Sequence, residues 1–118
     1  MNTIQASLPA GMRQVGNGFY VSGQIAPQNV EALAKEGCTT IICNRPDNEG
    51  WGQPAAEKIK AEADKHGVKF HYIPVGHSGV TAETVEAMRK AIAEADGIVL
   101  AYCRSGARST QLYAFSRP

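Results

Sequence analysis

Apolar and polar positions alternate along the chain in two distinct rhythms. Ile98-Val99-Leu100-Ala101-Tyr102 is an unbroken apolar run, the pattern of a strand covered on both faces. Thr39-Thr40-Ile41-Ile42-Cys43 is a β-branched run of the same kind, and residues 68–75 read as a third strand. Between these runs the apolar residues fall at helical spacing. Val30, Leu33 and Ala34 precede Gly37; Ala55, Ile59 and Ala63 lie within 54–66 and precede Gly67; Val85, Met88 and Ile92 follow Thr81, a residue suited to an N-cap, and precede Gly97. Nearer the start, Asn17-Gly18 stands between Gln14-Val15 and Phe19-Tyr20-Val21 and predicts a hairpin. Helices alternating with apolar strands imply an α/β fold with a mainly parallel sheet flanked by helices. In such sheets the functional crevice lies beyond the carboxyl ends of the strands. The loops after Cys43, Val75 and Tyr102 are therefore the candidates.

Composition narrows the partners. With 118 residues, 43% hydrophobic, and 12 Lys and Arg against 11 Asp and Glu, the chain has no basic excess for coating nucleic acid or an anionic membrane. No apolar run approaches a membrane span, and residues 1–5, MNTIQ, lack a signal-peptide pattern, so a cytoplasmic protein is expected. The expectation is one domain over 1–118 with its last helix cut short, since only nine residues follow Ser109. Three cysteines without paired or ligand spacing predict neither a disulfide framework nor a metal site, and no cofactor is called for.

The chemistry concentrates in "CRSGARS", residues 103–109, a strand-loop-helix element. A thiol near its reference pKa of about 8.5 is mostly protonated at neutral pH, so a nucleophilic cysteine needs a setting that favours its anion. A loop entering a helix N-terminus converges backbone amides on Cys103, and Arg108 adds a permanent cation. Gly106 permits the bend, Ser109 supplies a donor to the thiolate, and the amides of Arg104, Ser105, Gly106 and Ala107 form the ring that receives substrate.

That loop resembles the active-site loop of rhodanese sulfurtransferases. The order of elements, from "GFYVSGQIAPQNVEALAKEG" through "TTIICNRPDNEG" to "FHYIPV", resembles dual-specificity phosphatases. The combination is similar to one bacterial family, phosphatase-like domains regarded as sulfurtransferases and found alone or as the N-terminal domain of beta-lactamase-hydrolase-like proteins. The resemblance implies a cysteine-phosphatase-like sheet, Cys103 as the carrier of a transferred sulfur, a small anionic sulfur donor and a thiol acceptor. It also implies a persulfide dioxygenase or another component of sulfide oxidation as partner. Four residues separate Cys103 from Arg108, one fewer than in the phosphatases. Removing a residue that spans at most about 3.3–3.6 Å should tighten the ring, which favours a single sulfur over a phosphoryl group. The phosphatase histidine before the cysteine is replaced by Tyr102, and Gly76-His77-Ser78 stands where an acid is usual. The main expectation is therefore a sulfurtransferase working through a Cys103 persulfide. A phosphatase using Cys103 and Arg108, and a noncatalytic persulfide or anion sensor, are the alternatives.

Four neighbours complete the candidate site. Asp47 could act as an acid or orient a loop arginine, although Asp after Pro is also a routine turn residue. Arg45 could bind the substrate's anionic end or hold Asp47, and His77 could move a proton. Cys43 could attack a persulfide as a resolving thiol, or simply be a buried strand cysteine. Trp51 could wall a ligand pocket, but anchoring its loop is the commoner use of such an aromatic.

Overall fold

The computed structural model describes residues 7–117, so residues 1–5 and the end of the 1–118 span lie outside the described residues. Four parallel strands and one antiparallel edge strand form the sheet, in the order β1-β2-β5-β3-β4. The hairpin pairs β1 (Arg13–Gly16) with β2 (Phe19–Ser22) across Asn17-Gly18, where Gly18 takes a φ of 68° that a side chain would resist. Helix α1 (Asn29–Lys35) leads to β3 (Cys38–Cys43), α2 (Ala56–Lys65) to β4 (Lys69–Tyr72), and α3 (Ala82–Glu94) to β5 (Ile98–Tyr102). Helix α4 (Ala107–Ser116) follows the cysteine loop.

The expected α/β architecture is present, a mainly parallel sheet with an N-terminal hairpin and flanking helices. Its two faces bury different halves of each strand's alternation. Ile41 and Leu100 meet Val30 and Leu33 of α1 and Ile59 and Ala63 of α2 on one face. Ile42, Val99 and Ala101 meet Met88 and Ala91 of α3 and Leu112 of α4 on the other. Thr81 caps α3 as its position predicts, in a reciprocal box with Thr84.

Two boundaries differ from expectation. Regular strand ends at Tyr72 rather than Val75, although pairing continues from Ile73 N to Cys43 O and from Val75 N to Asn44 O; Pro74 between them has no N–H to give. Helix α2 begins at Ala56 because its first amide is capped from outside, by Asp47 Oδ1 at 2.8 Å.

The carboxyl ends of β2, β5 and β3 lie side by side, and main-chain bonds tie their exits together. Cys103 N donates to Ser22 O at 3.3 Å and Asn44 N donates to Tyr102 O at 2.7 Å. No helix among the described residues is long and apolar enough to cross a membrane.

Candidate active site

Cys103 directly follows β5 and has no exposed surface. Gly106 N donates to its sulfur at 3.0 Å. Burial pushes the thiol up, but the amides of Ser109, Ser105 and Gly106, together with the Ser109 hydroxyl, outweigh burial and hold it below the ordinary thiol value. Ser109 is itself fully buried, and its hydroxyl has no well-formed hydrogen bond, so it remains available to the sulfur or to an anion beside it. The bend that turns these amides inward rests on Gly106, the N-cap of α4, at a φ of 95°. Thr110 locks it by donating through both N and Oγ1 to Gly106 O, at 2.9 and 2.8 Å. Arg104, Ser105 and Ala107 are exposed on the rim. The Arg104 carbonyl packs so closely on Gly23 that a Cβ there would lie 2.9 Å from it.

Arg108 reaches across to the other two loops. Its Nη1 donates to Val75 O at 2.8 Å and to Glu49 Oε2 at 2.7 Å, and its Nη2 donates to Glu49 Oε1 at 2.7 Å. A guanidinium has five N–H bonds. Three are used here, which leaves Nε–H and one Nη2–H, the two parallel donors of the side-on edge. Glu49 thus grips Arg108 by its end and leaves one bidentate edge for an anion. The Arg108 hydrogen bonds are the main cause of a Glu49 carboxyl held down at about 2, so Glu49 is a fixed anion and no proton donor.

Glu49 and the carbonyl of Val75 were not singled out by sequence. The available signal was the Arg45–Glu49 spacing in the turn-rich "NRPDNEG" loop, where Asn48 takes a φ of 63°. Asp47 is engaged elsewhere: its Oδ1 accepts from the first amide of α2 and its own amide donates to the Tyr72 hydroxyl at 3.0 Å. Arg45 does not hold Asp47. Its buried guanidinium donates from Nε to Glu49 Oε1 at 2.9 Å and from Nη1 to Gln24 Oε1 at 3.0 Å, so it braces the loop from below. His77 is exposed in the turn just past Val75.

The structure does not bring Cys43 to the thiol loop. Cys43 is the parallel neighbour of Tyr102, packs with it in the α1/α2 face, and donates from sulfur to Arg45 O at 3.2 Å, with burial pushing its thiol up. Cys103 follows Tyr102 and so takes the opposite side in the alternation. Cys38 is likewise a packing residue, its thiol pushed by burial to about 11. Trp51 anchors nothing: it is fully exposed.

An α/β sheet with a cysteine at a strand end, its sulfur beside helix-N-terminal amides and an arginine braced near it, is the arrangement of a cysteine-phosphatase-like fold. The family model for the beta-lactamase hydrolase-like protein, phosphatase-like domain, matches residues 11–118, and the chain belongs to that family. A beta-lactamase hydrolase-like protein of Xylella fastidiosa is 35% identical over 96 residues, covering 81% of this chain and 22% of the relative. The chain thus spans under a quarter of that protein. A candidate phosphatase from Neisseria meningitidis is 39% identical with a TM-score of 0.75, covering 83% of this chain and 70% of that one. The catalytic core of the PP-IP phosphatase Siw14 from S. cerevisiae superposes with a TM-score of 0.64 at 13% identity, over 97% of this chain and 80% of that one, a likeness of fold.

These relatives overturn the sulfurtransferase expectation. The family is described as phosphatase-like, and the Neisseria structure at 39% identity is that of a candidate phosphatase. The rhodanese likeness of the loop and the Cys103 persulfide route drawn from it are withdrawn. The physical error lay in counting only loop amides when judging room for a phosphoryl group. Arg108 adds donors to those amides, since its Nε–H and second Nη2–H are taken by neither Glu49 nor Val75.

Proposed function

We propose that the protein is a cysteine-dependent phosphatase that hydrolyses phosphate monoesters through a phosphocysteine on Cys103. The observation that carries this reading is the pairing of a thiol held below its ordinary value with an arginine whose side-on edge is left free. The amides of Ser105, Gly106 and Ser109 and the free N–H groups of Arg108 together offer donors to the three non-bridging oxygens. The Cys103 thiolate attacks phosphorus and forms the S–P bond while the P–O bond to the leaving group breaks. His77, exposed two residues past the Val75 carbonyl that holds Arg108, gives that oxygen its proton. Water then attacks phosphorus and gives a proton back to His77, the S–P bond breaks, inorganic phosphate leaves and the thiolate returns. Asp47 is assigned no step, since its Oδ1 already accepts from the first amide of α2.

Turnover of an aryl phosphate and of an alkyl phosphate by wild type, Cys103→Ser and His77→Ala tests this. Cys103→Ser should lose both activities, and rapid quenching of wild type should trap one added phosphoryl group on Cys103 by mass. His77→Ala should lose on the order of a hundredfold on the alkyl ester and far less on the aryl ester, whose leaving group needs no proton. Undiminished aryl phosphate hydrolysis by Cys103→Ser would reject the mechanism.

A further inference from the structure

Two guanidinium groups flank the N-terminus of α4. Its first turn holds Arg108 and no acidic residue. A second cation, Arg13 at the start of β1, lies over the cap: a Cβ on Gly106 would stand 2.8 Å from Arg13 Nη2, 3.1 Å from Nη1 and 3.3 Å from Cζ. The place a side chain would fill on Gly106 is occupied by that guanidinium. Arg13 is exposed, makes no ion pair among the described residues, and is bonded only from Nη1 to Gly11 O at 3.2 Å. A cation at the positive end of a helix is electrostatically unfavourable unless an anion shares the place. The Ser109 hydroxyl at the same helix end serves the Cys103 sulfur, so the Arg13 guanidinium, with donors to spare, is the group left to meet a second anion.

We propose that Arg13 forms a second anion subsite beside the thiol loop, selecting phosphate esters that carry another anionic group. Glu49 and Val75 hold Arg108 from the β3 and β4 loops, whereas Arg13 approaches from the hairpin at the other side of β5. The phosphoryl group takes the ring and the Arg108 edge, and the second anion of the same molecule turns toward the hairpin and Arg13. Gly106 serves both parts, by its φ and by the seat it leaves for the guanidinium. The subsite rests on the phosphatase reading.

Binding of inorganic phosphate and of pyrophosphate to Cys103→Ser, alone and with Arg13→Ala, Arg13→Glu or Arg108→Ala, separates the two. Arg108→Ala should abolish both bindings. Arg13→Ala should weaken pyrophosphate about fivefold and leave inorganic phosphate within about twofold, with Arg13→Glu larger in the same direction. Equal weakening of both anions, or none for pyrophosphate, would overturn the subsite while leaving the phosphoryl cradle intact. No binding of inorganic phosphate to Cys103→Ser would overturn the phosphatase reading and the subsite with it.

Discussion

Replacing Glu49 with Gln tests whether the carboxylate braces Arg108 or competes with substrate for it. Glu49 receives Arg108 twice at 2.7 Å and Arg45 once at 2.9 Å. Its carboxyl is lowered from 4.5 to about 2, first through the Arg108 hydrogen bonds, against the opposing effect of burial, with Arg45 adding to the lowering. Felt in full, that difference corresponds to roughly 3 kcal/mol. The Glu49 and Arg108 side chains are 26% and 25% exposed, so solvent screening reduces it to about 1–2 kcal/mol. The folded value is depressed, so the stabilisation is complete above the unfolded carboxylate range and disappears as pH falls through about 2. Gln keeps one acceptor but loses the charge and the fork. Glu49→Gln should therefore lower kcat/KM for an aryl phosphate by about tenfold, with a melting temperature only a few degrees lower. Glu49→Ala should be worse, because it strips the anion from the nearly buried Arg45 as well. Steady-state kinetics at neutral pH, together with phosphate binding to the Cys103→Ser background, give the answer. Faster turnover or tighter phosphate binding in Glu49→Gln would show that Glu49 occupies the substrate's place, and the brace would be refuted.

Two further substitutions act on the loop without touching the nucleophile. Ser109→Ala removes one of the donors that hold the Cys103 thiol down, so the midpoint of its alkylation-versus-pH curve should rise with no gross loss of fold; an unchanged midpoint would leave the amides as the whole cause. Gly23→Ala would set a Cβ 2.9 Å from the Arg104 carbonyl oxygen, a main-chain atom that cannot swing aside, so the loop must shift. Denaturant unfolding should show a loss of about 1–3 kcal/mol, accompanied by slower thiol alkylation; wild-type values for both would mean the contact is slack.

The elements that sequence reveals are those whose causes lie within a few residues of one another. Strand β5 ends at Tyr102 as its apolar run does, and Thr81 caps α3 because its partner Thr84 is three positions away. Gly18 at 68° and Gly37 at 95° mark a turn and a helix end through backbone freedom alone. The start of α2 escapes this kind of reading because its cap is Asp47, nine residues upstream and brought back only by the folded loop. The same capping bond favours the turn-residue reading of Asp47: one carboxylate oxygen already accepts from an amide.

The active site divides along the same line. Residues 103–109 are contiguous, so a nucleophile, a ring of amides and an arginine can be read from seven letters. What sets the chemistry of that ring is supplied from outside it. Glu49 meets Arg108 across 59 positions, and Arg13 reaches Gly106 from the opposite end of the chain. Loop length measures only how many amides the chain itself turns inward. The cargo a cysteine loop accepts depends on all the donors around the sulfur, and here the deciding pair, Nε–H and the second Nη2–H of Arg108, is free because Glu49 and Val75 consume the other three. Had the acid bound the side-on edge instead, the same seven residues would leave an oxyanion without its fork.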